Sequence, residues 1–137
     1  MNFSVSGLIN SARELRASIA PKNETERRMY EALGSQNWGA SSSLLAEIAE
    51  DSFGYESYRQ ITALLWPGLD TESRSWKQLF KALTLIEYLI KNGSERVVED
   101  SRDHMREIRR LQDYNFFEGH VDRGSGCREL AKRIVEI

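Results

Sequence analysis

Residues 76–90 set Trp76, Leu79, Phe80, Leu83, Leu85, Ile86, Leu89 and Ile90 around nearly the whole circumference of a helix. A helix that is apolar on almost every side has to be covered from several directions, so it belongs at the centre of a bundle or stack. The flanking sequence supplies the cover. Apolar residues recur at steps of three and four, and no stretch of six or more residues alternates convincingly between apolar and polar, so strands are not expected. Trp76, Phe80, Leu83, Ile86 and Leu89 are expected to be buried. Apolar runs are only a few residues long, too short to span a bilayer.

Boundary residues divide the rest. Asn23 followed by Glu26 resembles a capping box opening a helix that runs through Leu33, with Gly34 behind it. Ser41, Ser42 and Ser43 offer N-caps for a helix carrying Leu44, Leu45, Ile48 and Ala49. Gly54 separates it from a helix with Tyr58, Ile61, Leu64 and Leu65 that ends near Pro67-Gly68. Asn92-Gly93 closes the central helix and Ser94 can cap the next. Residues 95–114 form a highly charged helical stretch, either continuous or broken in its middle. Asn115 to Gly126 read as a long Gly-rich loop before a last helix with Leu130, Ala131, Ile134 and Val135. The expected fold class is all-α, a stack of antiparallel helical hairpins. The sequence stops at Ile137 inside an apolar pattern, the ending expected of a domain cut from a longer protein.

Composition narrows the chemistry. With 19 Lys and Arg against 21 Asp and Glu, the net charge of −2 argues against a bulk nucleic-acid binder. One Cys excludes an internal disulfide framework, and neither His104 nor His120 sits at metal-ligand spacing from Cys127 or from the other. Cys127 reads as a small core residue. Gly124-Ser125-Gly126 lacks the rest of a phosphate-loop fingerprint, and Asn92-Gly93-Ser94 reads as a helix stop and start more readily than as a sequon. Glu99–Arg102, Asp103–Arg106 and Glu107–Arg110 are expected to compensate one another on a solvated helix face. No catalytic set, metal site or cofactor motif emerges, so the expected function is binding and not catalysis. No secretory signal is visible, which predicts a cytoplasmic protein.

The first 22 residues stand apart. Val5, Leu8, Ala12, Leu15 and Ile19 form an amphipathic stripe, ended by Pro21-Lys22 and weakened as a helix by Gly7 and four serines. The stripe is either core or a segment that folds only against a partner or a bilayer. Within residues 1–28, Arg13, Arg16, Lys22, Arg27 and Arg28 outnumber three glutamates, a local excess of +2. Basic charge beside an apolar stripe is the electrostatic half of interfacial membrane binding.

Trp38 through Ala49 (WGASSSLLAEIA) and Lys81 through Val98 (KALTLIEYLIKNGSERVV) closely resemble the two signature stretches of the epsin N-terminal homology (ENTH) domain. Trp66 and Trp76 fall at that family's spacing, and Arg128-Glu129 with Ala131-Lys132 resembles its closing helix. The likeness covers residues 23–137, which the resemblance makes the domain, with 1–22 as an amphipathic N-terminal segment. The Asn92–Val98 wording most resembles the Golgi and endosomal branch. Related architectures such as VHS and polymerase-tail-binding domains match these stretches less well.

The resemblance implies a right-handed superhelix that recruits a clathrin adaptor to plasma, endosomal or trans-Golgi membranes by holding a phosphoinositide headgroup. The N-terminal segment then inserts Val5, Leu8, Leu15 and Ile19 into the cytosolic leaflet. In the family, clathrin and adaptor motifs lie on a tail beyond the domain. By the same resemblance the headgroup residues are Arg13, Arg16, Arg74 and Lys81, with Lys77 close by. Other basic positions of the family fall on Ala12, Tyr30, Gly68 and Gln78 here, and an Asn position on Ser35. A basic residue near an anionic surface is worth on the order of 1 kcal/mol, so losing two or three weakens binding by roughly one to two decades. The alternative implied by such depletion is a protein-interaction ENTH domain that holds a partner such as a SNARE bundle.

Overall fold

Asn23 starts the first helix, its side-chain oxygen accepting the Glu26 N–H at 3.0 Å. The computed structural model describes residues 21–137, and α1 spans Glu24–Leu33. Ser41 caps α2 (Ser42–Asp51) by accepting the Leu44 N–H at 3.1 Å. Gly54 opens α3 (Tyr55–Leu65), which tightens at its end into a 3₁₀ turn, Trp66–Leu69, where Pro67 has no N–H to offer. Ser75 and Gln78 form a full capping box for α4 (Trp76–Asn92). Ser94 caps α5 (Glu95–Asp103), followed by α6 (Met105–Arg110), a 3₁₀ turn Leu111–Asp113, a hairpin β1 (Phe117–Glu118) and β2 (Val121–Asp122), and α7 (Ser125–Glu136).

As the periodicity of residues 76–90 requires, α4 is the centre: it packs against α1, α2, α5, α7 and the Trp66–Leu69 turn. Leu79, Leu83, Leu85, Ile86 and Leu89 are fully or almost fully buried, joined by Met29, Ile48, Ile61, Ile108 and Ile134 from the surrounding helices. Neighbouring helices run α1 on α2 and α3, then α6 on α7, giving an all-α superhelix of stacked hairpins.

Three expectations are corrected. Phe80 is not core but 40% exposed, and Trp76 is only half-buried. The cover over that side of α4 is the segment after Tyr114, which touches both rings without closing over them: Arg123 lies over Trp76 at 5.4 Å, and Gly126 sits against the Phe80 ring. That segment is not a plain loop either. It turns back at Gly119, whose φ of +61° is the one left-handed residue among those described, and pairs Phe117 with Asp122 and Glu118 with Val121. Two-residue strands are too short to display alternation. Finally, none of the three expected Glu/Asp–Arg pairs closes on the charged stretch, which takes the broken form of its two expected readings, parting at His104 (φ −105°, ψ 13°). Glu107 instead meets His104 Nδ1 at 3.1 Å, while the imidazole stacks flat on Trp66, with ring centres 4.3 Å apart.

Candidate functional site

The turn after α1 and the first turns of α4 face each other across a cleft of about 540 Å³. Met29, Leu33 and Leu64 give it an apolar wall, and Tyr30, Ser35, Gln36, Arg74 and Gln78 give it polar groups, with Gly34 and Gly68 completing the lining. Among the described residues Arg74 is the one charged side chain in that lining. It is anchored: its backbone N–H donates to Asp70 O at 3.0 Å and its Nε–H reaches Pro67 O at 3.4 Å. Asp70 in turn is held below the usual carboxylate range, first by the Ser73 hydroxyl and the Glu72 N–H, with Arg74 adding attraction. The N-terminal end of α4, where its dipole is positive, borders the same cleft.

Lys81 is placed differently from its expected role. It is 7% exposed and does not line the cleft; its ammonium donates to Gly34 O at 2.9 Å and to Gln36 O, two carbonyls of the turn that forms the cleft wall. Burial, with the nearby Lys77 charge as a lesser cause, holds Lys81 below the ordinary lysine pKa. Lys77 also stands outside the lining: its Nζ donates to Asn37 Oδ1 at 2.7 Å and sits 5.7 Å from the centre of the Trp76 ring. The structure thus brings Arg74 to the cleft, puts Lys81 behind its wall and leaves Lys77 outside the lining. Arg13, Arg16, Val5, Leu8, Leu15 and Ile19 lie outside the described residues.

Of the positions where the resemblance placed lost basic residues, Ala12 lies outside the described residues and the other three converge here: Tyr30, Gly68 and Gln78 all line the cleft, as does Ser35. Gln78 has taken a structural duty as well, its Oε1 accepting the Ser75 N–H at 3.2 Å. Gly68 is packed so that an added Cβ would stand 3.2 Å from Ala82 Cβ. That approach is tighter than an ordinary contact, so the 3₁₀ turn sits on α4 at a distance that suits a residue without a side chain. Gln36 went unnoticed in the sequence. Its amide donates to Glu31 O at 2.6 Å, and nothing in its spacing or composition marks it in advance.

Among the described residues, no reactive or metal-ligating group lines the cleft. Among the described residues no group of His, Cys, Asp and Glu is placed to hold a metal ion. Cys127 is buried, and that burial pushes its thiol up to about 11. An apolar wall, a rim of neutral donors and one anchored guanidinium suit a small anionic headgroup attached to an apolar body.

Comparison with known proteins gives the family. A family model described as "ENTH domain" matches residues 22–137. Clathrin interactor 1 of Homo sapiens is 38% identical over 117 residues, 84% of this chain and 19% of that protein. The chain spans about a fifth of the length of the curated relatives it matches. Among solved structures, the human epsinR ENTH domain superposes with a TM-score of 0.76 at 38% identity, covering 83% of this chain and 85% of that one. The ENTH domain from epsin-2 in complex with phosphatidylinositol 4,5-bisphosphate superposes with a TM-score of 0.80 at 25% identity, covering 88% and 87%.

Proposed function

The chain belongs to the ENTH domain family, and on that premise we propose that its cleft receives the phosphorylated headgroup of a phosphoinositide and docks the domain on the cytosolic face of a membrane. One observation carries the proposal: the cleft is lined by Arg74 and by the four described non-basic positions, Tyr30, Ser35, Gly68 and Gln78, that the resemblance assigns to headgroup contact. Arg74 supplies charge and paired donors in one planar group, which is what a phosphate monoester accepts best. Arg13 and Arg16 bring further charge on this proposal, and Val5, Leu8, Leu15 and Ile19 enter the leaflet beside them. Serving a clathrin adaptor in vesicle trafficking at plasma, endosomal or trans-Golgi membranes follows as the cellular role.

Co-sedimentation with phosphatidylcholine vesicles, with and without phosphoinositide, tests the proposal. The parent should sediment in a phosphoinositide-dependent way, and Arg74→Glu should lower that binding by about tenfold or more, since it removes one cation and adds an anion at the surface. Equal sedimentation of Arg74→Glu and the parent would reject the cleft.

The single charge in the described lining favours a second reading, in which the superhelix holds a protein partner such as a SNARE bundle and lipid binding is weak. Absence of phosphoinositide-dependent sedimentation by the parent is its signature.

A further inference from the structure

We infer that the β1–β2 hairpin is a second membrane contact, an apolar wedge that enters the interface between lipid headgroups while the cleft holds a phosphoinositide. The inference rests on the membrane function proposed above, and adds to it an element with no part in headgroup binding.

The hairpin exposes large apolar side chains where a water-facing turn would carry polar ones. Phe117 is 58% exposed, Val121 48% and Phe116 42%. The register puts Phe117 opposite Asp122 and Val121 opposite Glu118. Directly opposed residues share a face of a two-stranded ribbon, so Phe117 and Val121 lie on opposite faces. A protein surface docked flat on the ribbon would cover one face. Immersion tip-first in a fluid interface covers both.

Charge at the hairpin is compatible with an anionic surface because its acids are already matched. Glu118 accepts from Arg123 Nε at 2.8 Å, and Asp122 accepts from the Arg128 guanidinium. Arg128 also donates to Tyr114 O at 2.9 Å, fastening the hairpin's base to α7. The wedge therefore stands on a rigid footing.

Its position is the strongest argument. The base of the hairpin sits on the first turn of α4, with Arg123 over the Trp76 ring at 5.4 Å, and the first turn of α7 beside it sets Gly126 against Phe80. Arg74 and Gln78, around the same turns, line the cleft. Trp76 and Phe80 are four residues apart on one side of the helix, and Gln78 falls on the other. The hairpin's base, at Trp76, and the cleft, at Gln78, thus flank one end of the same helix. Lys77, on the same helix turn, donates to Asn37, whose sequence neighbour Trp38 is 69% exposed. Aromatic rings interleaved with cations are the composition that interfacial helices and membrane-water boundaries use.

The chain's only cysteine, Cys127, is buried, so a new thiol at Phe117→Cys can be labelled selectively with an environment-sensitive fluorophore. Vesicles of phosphatidylcholine, phosphatidylserine and phosphoinositide should shift its emission to the blue, and a nitroxide-bearing lipid should quench it. In parallel, Phe117→Ser/Val121→Ser should melt like the parent and sediment with the same vesicles about tenfold or more weakly, given the apolar area lost. Unchanged emission from a labelled protein that does sediment, or equal sedimentation of the double variant, would overturn the wedge and leave the cleft intact. A parent that fails to sediment at all would overturn both proposals together. Arg74→Glu separates the two contacts: it should lower binding to phosphoinositide vesicles and leave the hairpin side chains exposed.

Discussion

Lys81 shows how a single residue's surroundings redirect its chemistry. A lysine at 7% exposure loses most of its hydration, and here two backbone carbonyls, of Gly34 and Gln36, take the place of water around the ammonium. Hydrogen bonds from a charged group to otherwise unpaired acceptors are worth roughly 1.5–3 kcal/mol each in net stability, and the acceptors they leave behind are costly to bury alone. Lys81→Met keeps the aliphatic stem and removes the donors. It should lower the melting temperature by several degrees, as a destabilisation of about 1–3 kcal/mol does in a domain of this size, and should weaken vesicle binding by deforming the cleft wall. A variant that melts with the parent yet loses binding would make Lys81 a direct ligand instead. The neighbouring Gly68 has the converse character. An arginine at this family position would have to push Ala82 aside, so restoring the basic residue is not a simple gain.

At the scale of elements, the two ends of the sequence's strongest pattern behave differently. The C-terminal half of α4 is core as expected, and it is tied to α7 by Glu87, whose carboxylate accepts from Arg133 Nε at 2.9 Å and Nη2 at 2.8 Å. This fork, with burial acting against it and Lys91 adding to it, holds Glu87 below the usual glutamate value. The sign follows directly. A carboxyl whose folded pKa is depressed gives stability that is fully present above its unfolded value of about 4.3 and is lost as pH falls through the folded one. Glu87→Gln should therefore melt below the parent near neutral pH, and the gap between the two should close as the pH falls below the unfolded value and through the lower folded one. A gap that persists unchanged into acid would mean that the fork contributes packing and no charge interaction. The N-terminal half of α4 departs from the pattern because apolar period alone cannot say how completely a neighbour covers a ring. Phe80 and Trp76 needed the hairpin to be known first, and two-residue strands around Gly119 carry no periodic signal.

At the scale of the whole molecule, the helix order and most caps were legible because Asn23, Ser41 and Ser94 are local signals that act within one turn, whereas the Ser75 cap of α4 was found only in the structure. The cleft was legible only through the family resemblance, since its walls join the α1 turn to residues about forty positions later, and no local rule links Gln36 to Gln78. What joins the two levels is the division of labour between a folded domain and the N-terminal segment. The buried cluster extends from Met29 to Ile134 and draws on every described α-helix, so the domain has a core assembled after Pro21. On the insertion proposal the stripe of Val5, Leu8, Leu15 and Ile19 serves the bilayer and leaves that core as it is. Leu15→Glu places an anion in the middle of the stripe. Burying a leucine is worth roughly 1.5–3 kcal/mol, and a carboxylate near anionic lipid opposes binding further, so vesicle sedimentation should fall by about tenfold or more. The melting temperature should stay within about two degrees of the parent, as expected for a short segment only marginally helical by itself. Both quantities are measured on one preparation, and they separate the alternatives cleanly. A large drop in melting temperature would make the stripe part of the core, and would move the leading function from membrane insertion to a partner held on the superhelix.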